Sequence, residues 1–316
     1  MTSDELGYAT SATLATPHVD GELHHHHSHA AGSHHDGGHH LLSIENLSVA
    51  FDMYDPKAPF WRAGRARSEV LHDLTLSVHA GEILAVVGAS GSGKTVLADA
   101  LMGNFANNAE VTGTIWFDGS QMDTASLRAL AGHGVSLVPQ GVGNLDPLMR
   151  VGEQVRGVPR GETRTERKED AQRRQARQRE LFHAYGLAPE VERMYPHELS
   201  GGMVRRVLLM CALMDAPRLI IADEPTPGLD LDLAVHALDD LRSFANEGGG
   251  ALLITHDIEL ALRVADRVAV FRDGTVVEET SSQSFASPDL LRHPFSRALW
   301  HALPSHDFTA AKEVSS

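Results

Sequence analysis

Apolar and polar residues alternate from Leu41 to Phe51, the period of a strand with one buried face. Strand-like patterns return at residues 71–78, 82–87 and 111–118. Four short apolar runs, at 134–138, 218–222, 251–255 and 267–271, suit strands buried on both faces. Helical patterns lie between them, including residues 96–101 and 203–213. Strands alternating with helices predict an α/β core with a mostly parallel sheet. Residues 55–67, with two prolines and several charges, read as a loop. From about residue 145 to 197 the chain reads as helical. Its Arg-rich middle, 164–180, is expected to be a solvated helix face rather than an anion site. This stretch is predicted to stand beside the core as an inserted helical subdomain, about 145–215.

Residues 1–40 show no apolar period and are rich in Ser, Thr, Gly and His, which predicts a disordered tail. The 316-residue chain carries 42 acidic against 27 basic residues, a formal charge of −15, which argues against a nucleic-acid partner. No run approaches the roughly 18 apolar residues of a membrane span, and no signal-peptide pattern opens the chain. The single cysteine, Cys211, lies in an apolar run and reads as structural. Together these features predict a cytosolic location.

The run Gly88-Ala89-Ser90-Gly91-Ser92-Gly93-Lys94-Thr95 sits between a predicted strand and a predicted helix, the context of a phosphate-binding loop. Glycines let backbone N–H groups curl around phosphates, and the helix N-terminus adds positive potential. Lys94 would reach the β- and γ-phosphates, while the Thr95 hydroxyl would ligate Mg²⁺. The run at 218–222 ends in Asp223-Glu224. Asp223 would help hold Mg²⁺, and Glu224 would polarise an attacking water as general base. Ser200-Gly201-Gly202 opens another helix and offers a second anion site, or simply a capped helix start.

Taken with Gln140, Gly228-Leu229-Asp230 and His256, these motifs make an ordered series that resembles the ATP-binding subunits of ABC transporters. The likeness spans about residues 42–280. Pro139-Gln140, Asn144-Leu145-Asp146-Pro147, Val151-Gly152-Glu153-Gln154, Tyr195-Pro196-His197-Glu198 and His293–Leu299 are similar to the peptide/nickel importer branch. The resemblance implies an ATP-binding domain at 41–280, with an antiparallel β subdomain, and a C-terminal extension at 281–316. It implies that Gln140 senses the γ-phosphate and Mg²⁺, that His256 contacts the γ-phosphate, and that Asp230 lies at a dimer seam. Phe51 is the candidate for stacking on adenine, with Tyr54 and Trp61 as alternatives and core packing as the competing reading of Phe51. The implied partners are a second ATPase subunit, a transmembrane permease and an extracytoplasmic substrate-binding protein, with this chain peripheral on the cytoplasmic face of the membrane. Gly141 departs from the acid common after the glutamine, and Met203 and Val204 depart from the widespread signature. The C-terminal cysteines of some relatives are absent, so no iron–sulfur cluster is expected.

Half of the 20 histidines fall in the first 40 residues. His24, His25, His26, His27, His29, His34, His35, His39 and His40 are flexible imidazoles suited to Ni²⁺ or Zn²⁺. That tilts the imported substrate toward nickel, with oligopeptide or dipeptide as the alternative. A soluble ABC-type ATPase outside transport is the third reading.

Overall fold

The short apolar runs become neighbouring strands of one sheet, because a strand without polar side chains must be covered on both faces. A computed structural model describes residues 40–54 and 65–303. Strands β1 (His40–Tyr54), β2 (Arg65–His79), β4 (Ala109–Phe117) and β5 (Ser120–Met122) form an antiparallel sheet in the order β2-β1-β4-β5. The other sheet contains β3 (Ile83–Gly88), β6 (Val135–Val138), β7 (Leu219–Asp223), β8 (Gly250–Thr255), β9 (Arg267–Arg272) and β10 (Thr275–Ser281). Its order is β10-β9-β3-β8-β7-β6, parallel throughout except for the β9–β10 hairpin.

Alternate residues of this larger sheet feed two cores, as a period of two requires. Leu84 and Val86 of β3 join Ile221 and Ile254 in a core with Leu42, Ile44 and Leu71 of the antiparallel sheet and Leu97 of helix α1 (Lys94–Leu101). On the opposite face Ala85 and Val87 pack with Ala222, Leu253, Val207 and Leu238. These last two residues come from α5 (Gly201–Leu213) and α6 (Leu231–Asn246). Helix α2 (Thr124–Leu130) follows β5, and α7 (Ile258–Leu262) follows β8. Cys211 packs partly buried against the second core, and desolvation pushes its thiol up to about 12, away from reactivity. No helix among the described residues is long and apolar enough to cross a membrane.

Between β6 and β7 the chain is helical and irregular, with α3 (Val151–Arg156), α4 (Arg164–Ala184) and α5. Residues 157–163 and 185–200 are turns, short 3₁₀ segments and coil rather than continuous helix. A Thr163–Glu166 capping box starts α4. The expectation of a solvated face holds for Arg164, Arg167, Arg173 and Arg177. It fails for Arg174, which is buried with Asp170 and Gln178 at a spacing of four on the inner face. Arg174 Nε donates to Asp170 at 2.7 Å, and its Nη2 donates to Asp215 beyond α5. Arg160 closes the network, giving its backbone N–H to Asp170 at 2.8 Å and its guanidinium to Asp215 at 2.9 Å.

The hairpins β4–β5 and β9–β10 turn at Asp118-Gly119 and Asp273-Gly274, both pairs at positive φ. Asp-Gly is the preferred pair for a tight hairpin of this hand, so β5 and β10 carried a sequence signal that the pattern reading passed over. Arg65–Arg67, expected in a loop, extend β2 because they pair with Tyr54, Met53 and Asp52. Residues 282–303 follow β10 and include α8 (Pro294–His301). Glu278 of β10 receives the N–H groups of Arg292 at 2.7 Å and His293 at 2.9 Å, fastening the start of α8 to the sheet.

The N–H of Arg160 and the guanidinium groups of Arg174 and Arg173 outweigh burial and hold the Asp170 carboxyl at about 2. A depressed carboxylate contributes stability above its unfolded value, near 3.9, and loses it as pH falls through the folded value. Asp170→Asn should lower unfolding free energy by about 3 kcal/mol at neutral pH, since Arg174 loses one buried partner. In urea unfolding followed by circular dichroism, the gap between variant and parent should shrink between about pH 4 and pH 2.

Candidate active site

Because β3, β8, β7 and β6 are parallel and adjacent, all four end on one edge of the sheet. The chain leaves that edge at Gly88–Thr95, at His256, at Asp223-Glu224 and at Pro139-Gln140. Ligands in open α/β sheets collect outside such carboxyl ends. Segments more than a hundred residues apart are therefore gathered without any of the strands bending.

Gly88 ends β3 against Phe271 of β9, where a Cβ would lie 2.2 Å from the Phe271 carbonyl oxygen, so only glycine fits. Gly93 precedes α1 at φ +104, and no side chain caps the helix. The first N–H groups of α1 therefore face the loop, the arrangement that favours an anion. Lys94 is 7% exposed and folds back into the loop. Its ammonium donates to the carbonyls of Gly88 at 2.9 Å and Ala89 at 2.8 Å, and to the Ser92 hydroxyl at 3.4 Å. Burial lowers its pKa, against the opposing pull of the Glu224 and Asp223 charges. Ser90, Gly91 and Thr95 are exposed along the same loop and helix start.

Asp223 is buried at the end of β7, and desolvation raises its pKa. A hydrogen bond with the Thr95 hydroxyl and the charge of Lys94 act the other way, while the Glu224 charge adds to the rise. Its Oδ1 is buried without a hydrogen-bond partner among the described residues. An orphaned carboxylate oxygen beside a hydroxyl is a hard-oxygen donor set, which fits Mg²⁺.

Glu224 follows at φ +51, immediately before Pro225. That region is sparsely populated for a residue with a Cβ, and it costs about 1–3 kcal/mol. The turn is held by the Glu224 N–H, which donates to the Ile254 carbonyl at 2.8 Å. The carboxylate points to the end of β8. There Thr255 Oγ1 donates to Oε2 at 3.2 Å, and the His256 N–H donates to Oε1 at 3.1 Å. His256 Nδ1 approaches Oε1 at 2.8 Å, which puts the imidazole proton on Nδ1 and leaves Nε2 outward. The imidazole is 63% exposed.

The remaining predicted residues lie on other segments. Gln140 is exposed just beyond β6. Ser200 caps α5, accepting the Met203 N–H at 3.3 Å, so the capped helix start expected as the simpler reading is present. Gly201 is exposed, with nothing within 4 Å of an added Cβ. Gly202 lies beside Leu229 and Leu233. Asp230 caps α6 through the Leu233 N–H at 3.0 Å. Phe51 lies on β1. It shares a face of β1 with Val49 and packs half-buried against the core, at a cavity of about 220 Å³ shared with Val96, Ala100 and Phe105 of the α1 region. That packing accounts for an aromatic side chain at this position. Trp61 and the histidines from His24 to His39 lie outside the described residues, as does the Tyr54 side chain. His40 begins β1 and lies against His79, with ring centroids 4.6 Å apart and the rings tilted by 34°. A larger cavity, about 490 Å³, is lined by Arg218 before β7 and Gly249 before β8, so it opens at the amino edge of the sheet, opposite these groups.

The sequence reading passed over Arg205. It is 3% exposed, and its guanidinium donates to the carbonyls of Pro139, Gln140 and Pro227. A basic pair inside an otherwise apolar helix, Arg205-Arg206, was the available signal.

A model of the ABC transporter family matches residues 71–227. The oligopeptide transport ATP-binding protein OppD of Lactococcus lactis subsp. cremoris is 34% identical over 275 residues, covering 84% of this chain and 76% of OppD. OppD of Haemophilus influenzae is 34% identical over 276 residues, covering 84% of this chain and 80% of its own. A solved dimeric ATP-binding cassette, in a post-hydrolysis state with ADP and Pi, superposes with a TM-score of 0.63 at 25% identity. That match covers 76% of this chain and 98% of the cassette. With its motifs gathered on one sheet edge and its likeness extending far beyond them, the chain belongs to the ABC transporter family, as an ATP-hydrolysing subunit of the peptide/nickel importer branch.

Proposed function

We propose that this chain hydrolyses ATP to drive uptake of oligopeptides through a membrane permease. ABC ATPases work as paired cassettes joined to permease subunits, and they bind ATP with Mg²⁺. The observation that carries the mechanism is the placement of Glu224 at the strand ends, where Thr255 and His256 hold its carboxylate.

The triphosphate lies along Gly88–Thr95, with Lys94 released from its loop carbonyls to the β- and γ-phosphates. Thr95, Asp223 and Gln140 would hold Mg²⁺, which would supply charge neutralisation at the phosphates. Glu224 accepts the proton of the attacking water. His256 keeps the Glu224 carboxylate in line through Nδ1 and offers Nε2 to the γ-phosphate. A second cassette, identical or paralogous, closes head to tail and presents its copy of Ser200, Gly201 and Gly202 to the same phosphate, with Asp230 at the seam. Phe51, at the cavity beside α1, is assigned to the adenine ring. We further assign residues 41–280 to the ATP-binding domain, about 145–215 to a helical subdomain that meets the permease, and 281–316 to an extension. The complex is completed by an extracytoplasmic substrate-binding protein, and the chain sits on the cytoplasmic face of the membrane.

The names of the relatives favour peptides: oligopeptide transport for OppD and dipeptide transport for DppD of Haemophilus influenzae. Nickel is retained as a second reading because the run His24–His40 is rich in ligands for Ni²⁺ or Zn²⁺.

Glu224→Gln should bind ATP normally and lower turnover by about a thousandfold, as loss of a general base at a fixed site does. Phosphate release measured beside nucleotide binding checks this, and normal turnover would remove Glu224 as base. Lys94→Ala should weaken ATP binding about tenfold or more and lower hydrolysis with it, as read by equilibrium binding of a fluorescent ATP analogue. Cells carrying Glu224→Gln should lose uptake of a labelled oligopeptide while labelled nickel enters as before. Loss of nickel uptake alone would reverse the substrate assignment and give the histidine run a role.

A further inference from the structure

We propose that Arg205 is a positioning residue for ATP hydrolysis, its guanidinium locking the start of α5 to the backbone of Gln140 and to the backbone that leads into Asp230. This rests on the ATPase reading above and extends it to how three separate segments share one geometry.

Arg205 Nη1 donates to the Pro139 carbonyl at 3.1 Å and to the Gln140 carbonyl at 3.0 Å. Nη2 donates to the Pro227 carbonyl at 3.1 Å, one residue before Gly228-Leu229-Asp230. The side chain rises from the first turns of α5, the helix that Ser200 caps and that carries Gly201 and Gly202. One rigid fork thus reaches the segment after β6, the segment after β7 and the second phosphate-facing helix start. A guanidinium has the donors and the planarity for such a three-way bridge, which no other side chain matches.

The position is costly. Arg205 is buried, yet no carboxylate lies within ion-pair distance of it among the described residues, and its Nε has no partner there. A buried cation satisfied only by neutral carbonyls is less favourable than a well-packed apolar residue of the same volume. Among charged groups, Glu224 is the one whose field opposes the desolvation of Arg205. Stability alone gives no reason to keep a charge here. A requirement that Gln140, Asp230 and the helix start hold a common geometry beside Glu224 does.

The test uses ATP hydrolysis by the full chain assembled with its permease in membrane vesicles. Arg205→Met should lower kcat about tenfold while KM for ATP stays within about twofold, because the nucleotide contacts themselves are untouched. Arg205→Lys, which keeps the charge and reaches part of the carbonyl set, should recover a measurable share of kcat. In a Gln140→Ala background, Arg205→Met should cost no more than about a further twofold, since coupled residues are non-additive. Unchanged kcat in Arg205→Met overturns the proposal. So does a loss that multiplies in full with Gln140→Ala, or a fall in nucleotide affinity matching the fall in kcat. If the Met variant does not fold, Arg205→Gln, which keeps two donors, passes through the same cycle with the same criteria. Glu224→Gln reports separately: if it turns over normally, the ATPase reading fails whatever Arg205 does.

Discussion

Parallel strands paired in register must end on the same edge of their sheet, and the chemistry of this protein depends on that constraint. Strands β3, β6, β7 and β8 are almost wholly apolar and covered on both faces, so their interiors have no room for reactive groups. Lys94, Gln140, Asp223, Glu224 and His256 can emerge only where the strands stop. The backbone hydrogen bonds that join the strands therefore also set which catalytic candidates become neighbours. The β7–β8 pairing places Asp223 opposite Ile254, and one residue further on Glu224 meets Thr255 and His256.

Most of this was legible from one sequence. Buried strands show as unbroken apolar runs, and a phosphate-binding loop carries its own strand–loop–helix context. The gaps have physical causes. The inner face of helix α4 is Asp170, Arg174 and Gln178 until its end, where Leu181 and Phe182 reach the core, so a search for an apolar stripe finds little to orient most of it. Arg160 and Asp215, the partners that make that stripe tolerable, come from outside the helix and carry no periodic signal. Strand β5 is three residues long and mostly polar, and β10 mixes Val with Glu and Thr, so only their Asp-Gly turns announce them.

The site shows a similar division. The residues proposed to face the phosphates belong to local motifs, and local motifs can be read from a chain. The groups that set their distances act across long sequence separations. Arg205 reaches back 66 residues to Pro139 and forward 22 to Pro227, and nothing in the neighbourhood of Arg205 encodes either contact. Phe51 illustrates the opposite limit. The resemblance offers it to adenine, and the fold half-buries it beside α1, so core packing and the proposed stacking draw on the same side chain.

The anchoring of α8 by Glu278 has a consequence for the whole chain. That contact is made on β10, the outermost strand, separated from β3 by β9. Beyond that rim contact, Phe285, Leu291 and Leu303 are buried in the same core as Ala85 and Val87 of β3 and Ala222 of β7. Removing the segment after β10 would therefore expose apolar surface of that core as well as free the edge strand. The last described residues act as a closing seal on a core laid down by segments far earlier in the chain.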